Sequence, residues 1–130
     1  MSQSKALWLA AVFAVFCGQV RADQYEDALA AFTRADYPRT LELVQPLAEQ
    51  GDPRAQSLLG VMYDFGSGVP KNSAKATELY TESAMRGFAE AQFYLGQRSK
   101  DPAEAAAWYL KAAQQGFTQA QNRGALRIWQ

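Results

Sequence analysis

From Ala55 to Ala91 the chain reads A-Q-S-L-L-G-V-M-Y-D-F-G-S-G-V-P-K-N-S-A-K-A-T-E-L-Y-T-E-S-A-M-R-G-F-A-E-A, and most of its distinctive positions return downstream. Ala91, Leu95 and Gly96 repeat Ala55, Leu59 and Gly60 at a spacing of 36 residues. Ala105, Tyr109, Ala113, Gly116 and Ala120 repeat Ala76, Tyr80, Ala84, Gly87 and Ala91 at a spacing of 29. The difference of seven corresponds to one deleted loop. Self-similarity at such a period marks a stack of supersecondary units, each too small to bury its apolar face alone. The expected fold is therefore all-α: a right-handed superhelical solenoid of antiparallel helix pairs.

Outward from that stretch the helix signals are local. Asp52-Pro53 places a capping carboxylate before a proline at the first helical position, so a first (A) helix runs to about Tyr63. Gly66 and Gly68 then supply a loop with positive φ, and Val69 tucks beneath it. Asn72 or Ser73 caps a second (B) helix that reaches Arg86 and puts Ala76, Leu79, Tyr80, Ser83 and Ala84 on one face. The next pair is shorter: Ala89 to about Arg98, a connection through Ser99-Lys100-Asp101-Pro102, then Ala103 to Gln115. Upstream, Asp23 to Arg34 and Pro38 to about Glu49 read as a degenerate pair, with a kink or lost backbone bond expected near Glu42 because Pro46 lies inside the second helix. Thr118 to about Trp129 reads as a single closing helix. The small residues Ala55 and Gly60 are expected where another helix backbone comes close.

The first 22 residues read as a signal peptide rather than as part of the fold. Lys5 precedes an apolar run from Ala6 to Cys17, and Val20-Arg21-Ala22 ends on small residues where a signal peptidase cuts. The organisation is then 1–22 signal, 23–50 degenerate repeat, 51–87 full repeat, 88–116 shortened repeat and 117–130 cap. The apolar run of 12 is short for a membrane span, so membrane attachment is expected only if the segment stays uncleaved. Cleavage would leave 11 basic and 13 acidic residues, a formal charge of about −2, which favours neither nucleic acid nor an anionic membrane surface. It would also remove Cys17, the single cysteine, and the absence of disulfides points to a bacterial periplasm.

The motif residues carry a resemblance. Ala55, Leu59, Gly60, Tyr63, Gly66, Gly68 and Val69, followed by Lys75, Ala76, Tyr80, Ala84 and Gly87, resemble the repeat of the Sel-one-like family, relatives of tetratricopeptide repeats. Ala105, Trp108, Tyr109, Ala112, Ala113 and Gly116 match its second half more fully. The resemblance implies helix pairs of about 36 residues. It also implies an adaptor that holds other proteins, with exported members linked to envelope assembly, host contact or immunity against secreted toxins. Paired cysteines, which accompany enzymatic claims in the family, are missing here, so that activity is not carried over.

Chemistry is narrowly bounded. The chain has no histidine, and none of its cysteine would survive processing, so Ser-His-Asp and Cys-His catalysis and the usual transition-metal sites are not expected, and neither is a cofactor. Glu78 and Glu82 are four apart on a face expected to be solvated, which makes a wall-active hydrolase a remote alternative. Tyr63, Tyr80, Trp108 and Tyr109 are assigned to packing. For binding, the residues expected on the concave A-helix face are Gln56, Phe65, Gln92, Phe93, Gln97, Gln121 and Arg127, with Arg98 and Arg123 nearby and Trp129 left over. Aromatic and arginine anchors of this kind suit a protein or peptide partner. A solvated face without a dedicated ligand is the plain alternative, and an immunity protein that occludes a secreted toxin is the second functional reading.

Overall fold

The computed structural model describes residues 24–117, which form six helices and no strand. They are α1 (24–33), α2 (Tyr37–Glu49), α3 (Pro53–Phe65), α4 (Ser73–Met85), α5 (Ala89–Arg98) and α6 (Pro102–Gln114). The signal segment and the closing helix expected from Thr118 lie outside the described residues. Among those residues, no helix is long and apolar enough to cross a membrane.

From α2 to α6 each helix packs on its neighbours in sequence, and the core follows the same order. One cluster joins Ala28 of α1 to Val44 and Leu47 of α2 and to Ala55, Leu59 and Met62 of α3. A second joins Ala76, Tyr80 and Ala84 of α4 to Ala91 and Leu95 of α5. The third joins Phe93 of α5 to Ala105, Tyr109 and Ala112 of α6. This succession of small cores, each sealed by the next pair, is what a solenoid of helix pairs requires.

Helix starts follow the chemistry of the residue before them. The carboxylates of Asp36, Asp52 and Asp101 and the amide oxygen of Asn72 accept backbone N–H bonds from Arg39, Arg54, Ala103 and Lys75. Each satisfies one donor that a first turn leaves unpaired. Phe88 opens α5 without such a bond. The helix ends are set by backbone conformation: Gly66 takes a left-handed geometry (φ 68°, ψ 37°) after α3. Helix α3 thus runs two residues beyond the expected Tyr63, taking Asp64 and Phe65 out of the loop. Helix α2 continues through Pro46, which has no N–H for the Glu42 carbonyl, and the Pro46 carbonyl still accepts from Gln50 N–H at 3.1 Å.

Glycine at position 60 makes room for a ring rather than for the helix backbone expected there. A Cβ there would meet the Tyr80 ring at 2.8 Å, and one at Gly96 would meet the Tyr109 ring at 2.6 Å. The close neighbour is an aromatic ring of the paired B helix, not a backbone. In both pairs the ring lies where any side chain on the A helix would stand. The loop after α3 is held similarly: Val69 packs against the first core, and a Cβ on Gly68 would sit 2.7 Å from Tyr37 Cβ.

Candidate functional site

The residues proposed from sequence do not gather into one surface. Gln56, Gln92 and Phe93 are 2%, 5% and 3% exposed, so a partner does not reach them. Their burial has a structural cause. Gln56 Nε2 donates to the Ala48 carbonyl at 3.3 Å, and Gln92 Nε2 donates to the Ala84 carbonyl at 3.2 Å. In each case an A-helix amide adds a second bond to a last-turn carbonyl of the preceding B helix, which already accepts the N–H of the closing glycine, Gly51 at 3.0 Å or Gly87 at 2.9 Å. Gln92 Oε1 also accepts from Gln115, whereas Gln56 Oε1 is buried without a bond among the described residues. Phe93 is ringed by Tyr94, Tyr109 and Phe117 at centroid distances of 6.0, 5.7 and 5.2 Å.

Phe65 and Gln97 are exposed, Phe65 at 74%. Gln121, Arg123, Arg127 and Trp129 lie outside the described residues. Arg98, expected beside the concave face, is a clamp between units. Its guanidinium binds Asp64 at 2.8 Å, Thr77 Oγ1 at 2.9 Å and Ser73 Oγ at 2.6 Å, and it lies 5.5 Å from the Tyr80 ring centroid. Glu78 and Glu82 are exposed and engaged singly, Glu78 with Lys75 at 3.8 Å and Glu82 with Gln56 Nε2 at 3.1 Å. Nothing draws the two carboxylates to a common point.

A different surface brings the A helices together. A groove of about 150 Å³ is lined by Tyr25, Leu29 and Phe32 of α1, Arg54, Ser57, Leu58 and Val61 of α3, and Glu90 and Tyr94 of α5. Its walls are mostly aromatic and aliphatic, and Leu29 stays 39% exposed there. Neighbouring cores fix the walls: Tyr25 and Phe32 pack on the first, while Val61 and Tyr94 pack on the second.

The polar groups converge on Tyr25. The Arg54 guanidinium lies 4.4 Å from its ring centroid and holds Asp52 through two bonds, Nε to Oδ1 at 3.2 Å and Nη2 to Oδ2 at 2.9 Å. Glu90 accepts from the Tyr94 hydroxyl at 2.8 Å. Burial and the Glu90 charge push the Tyr25 hydroxyl upward against the pull of Arg54, with Asp52 and Glu26 adding to the rise. Tyr94 is raised by burial, by its bond to Glu90, and by the charges of Glu90 and Asp64. Both phenols therefore stay neutral at ordinary pH and offer hydroxyl groups rather than phenolates.

A signal for this groove was present in the repeat. Gln56 and Gln92 recur at 36, which marks them as parts of the stack. Arg54 and Glu90, Ser57 and Phe93, Leu58 and Tyr94, and Val61 and Gln97 occupy matching places with different residues. All four α3 members of these pairs line the groove, as do Glu90 and Tyr94. These positions still pack, Leu58 in the first core and Phe93 in the third, but each does so with its own residue rather than a repeated one.

Comparison with known proteins agrees with this architecture. The Sel1 repeat pattern matches residues 53–88 and 89–117. A Sel1 repeat protein from Oxalobacter formigenes is similar at 35% identity and a TM-score of 0.70, over 75% of this chain and 43% of that one. A protective antigen of uropathogenic Escherichia coli strains, described as displaying an SLR fold, is similar at 30% identity and a TM-score of 0.58. That match covers 84% of this chain and 24% of the antigen, so the chain spans less than half of either relative. With its repeated glycine–tyrosine contacts and two matched repeats covering half of its residues, the chain belongs to the Sel1 repeat family.

Proposed function

We propose that this protein is a non-enzymatic interaction module whose A-helix groove holds a segment of another protein. Repeats of this family are generally protein–protein interaction modules, which supports the class of function. The groove itself carries the reading. Three successive A helices contribute apolar side chains to one concave strip, and those side chains include positions that the repeat does not require. A buried apolar anchor surrounded by polar groups is how small recognition surfaces concentrate their binding energy. Among the described residues of the sequence-derived set, Phe65 and Gln97 are the exposed ones. We place the protein outside the cytoplasm on the strength of the n-region, apolar run and small-residue cut site in its first 22 residues.

The test is site-specific photocrosslinking of the full chain in its own cells. A photoreactive side chain at Leu29, inside the groove, is expected to give one discrete adduct, and the same group at Leu110, exposed on α6, none. Adducts from Leu110 alone would move the interface off the A helices. A dominant adduct with a secreted toxin, together with growth rescue when that toxin is made, would turn the adaptor reading into the immunity one. Export is tested separately by N-terminal sequencing of the mature protein, with Asp23 expected first.

A further inference from the structure

The stack makes no use of the Ser57 hydroxyl. Ser57 is 2% exposed and lines the groove, yet its Oγ takes no hydrogen bond among the described residues. Helical hydroxyl groups commonly turn back to the carbonyl four residues earlier. Thr33, Thr40, Thr77 and Thr81 all do so, at 2.7 to 3.0 Å. For Ser57 that carbonyl is Pro53, which already accepts from Ser83 Oγ of α4 at 2.6 Å. The hydroxyl is not sealed away either. The wholly buried side-chain atom left without a partner among the described residues is Gln56 Oε1, so Ser57 Oγ keeps an opening, and the groove it lines supplies that opening.

The next repeat shows what fits above this position. The counterpart of Ser57 is Phe93, whose ring stands against those of Tyr94, Tyr109 and Phe117. Where the shortened repeat supplies a ring of its own, the full repeat supplies a hydroxyl and a space walled by Leu29, Phe32, Leu58 and Val61. That space is about 150 Å³, the volume of a dry cavity that takes benzene, so it holds a single six-membered ring. We infer that the groove selects a tyrosine of the partner segment, its ring between α1, α3 and α5 and its hydroxyl paired with Ser57 Oγ. This rests on the groove being the binding surface and adds the side chain it prefers. A serine hydroxyl and a phenol each donate and accept, so each satisfies the other. Phenylalanine or leucine would fill the same space but cover Ser57 Oγ without a partner, which costs the desolvation of that hydroxyl. The phenols of the walls are held elsewhere: Tyr94 donates to Glu90 at 2.8 Å, and the Tyr25 ring lies against the Arg54 guanidinium.

Two short fluorescein-labelled peptides test this against the full chain by anisotropy. Both are built of alanine, glutamine and serine and differ only in a central tyrosine or phenylalanine. The unaltered protein is expected to bind the tyrosine peptide about fivefold or more tighter, the effect of one buried hydrogen bond. Ser57→Ala should erase that difference, weakening the tyrosine peptide and tightening the phenylalanine one. Its melting temperature should equal or exceed that of the parent, because the hydroxyl bonds nothing in the free protein and alanine is the better helix former. Lost selectivity would then not be lost folding. Equal binding of the two peptides to the unaltered protein, a preference that survives Ser57→Ala, or no binding at all would each overturn the inference. Equal weakening of both peptides in Ser57→Ala would give the hydroxyl to the peptide backbone and overturn the choice of tyrosine. In all these cases a discrete Leu29 crosslink in cells would leave the groove standing as the binding surface, and an absent one would remove the groove as well.

Discussion

In the full repeat Gly60 lies beneath the Tyr80 ring and Gln56 reaches back to the Ala48 carbonyl; in the shortened repeat Gly96 lies beneath Tyr109 and Gln92 reaches back to Ala84. These contacts are the shared hardware of a helix pair. The two units differ at the places between. Met62 of the full repeat is wholly buried in the first core, and its counterpart 36 residues on is Arg98, which ties α5 to the full repeat by an ion pair and hydrogen bonds. Asp52 caps α3, whereas its counterpart Phe88 makes no cap bond. Ser57 is small and borders the groove, whereas its counterpart Phe93 fills the corresponding space with a ring. Stacking tolerates such exchanges because one unit needs only a neighbour to close against, by apolar or by charge-assisted contact. Function is then free to use the exchanged positions.

The shared contacts should be the most sensitive. Gly96→Leu and Gly60→Leu are each expected to cost about 1 to 3 kcal/mol by overpacking. Even Gly→Ala should destabilise at both places, although alanine gains about 1 kcal/mol of helix propensity, because the new Cβ falls against a ring. Thermal melts check the sign, and pairing Gly60→Ala with Tyr80→Leu should return part of the loss. A neutral Gly60→Leu would mean that the ring contact is not what holds α3 to α4.

Arg98→Met writes the full repeat's residue into the shortened one and sharpens the contrast. The Asp64 and Arg98 side chains are 25% and 21% exposed, so removing the cation leaves a half-buried carboxylate with a lost partner. A loss of about 1 to 2 kcal/mol is expected in denaturant unfolding, with Arg98→Lys losing less. If Arg98→Met is as stable as the parent, apolar and polar closure are interchangeable at this junction.

The two glutamines should separate next. Gln92→Leu breaks bonds on both of its amide atoms and should cost about 1 kcal/mol. Gln56→Leu breaks two bonds from Nε2, to the Ala48 carbonyl and to Glu82, but also removes a buried oxygen that has no bond among the described residues, and so should cost less than Gln92→Leu. Equal losses would show that Gln56 Oε1 finds a partner in solution.

The smallest effect concerns acid. Burial pushes the Asp52 carboxyl upward, but its bonds to the Arg54 side chain and to the Arg54 and Ala55 backbone, with the Arg54 charge, carry it below the ordinary value. A lowered folded-state value adds stability above the ordinary carboxylate range, and that stability is lost as pH falls through the lowered value. Asp52→Asn retains a cap at every pH, so its melting temperature should fall less between pH 7 and strong acid than that of the parent. A parallel fall in the two proteins would remove Asp52 from the acid response.

These contrasts also show why the fold was easier to read than the site. Repetition of Gly60, Tyr80 and Ala84 at fixed offsets exposes the stack because packing imposes the same residue each time. The sequence-based site instead took Gln56 and Gln92 for surface amides, since a glutamine on a helix is usually solvated and periodicity does not say which carbonyl it reaches. Phe93 is buried for a related reason: of the rings that cover it, Tyr109 and Phe117 come from the next helix and beyond it, out of reach of a local pattern. The groove needs Tyr25, Leu58 and Tyr94 side by side from three helices, and that adjacency follows from the stack's geometry rather than from any local pattern.

The central claim is that binding lies in the groove walled by α1, α3 and α5, and site-specific photocrosslinking tests it most directly. A photoreactive group at Leu29 is predicted to give one discrete adduct and the same group at Leu110 none. Adducts from Leu110 alone would contradict the account.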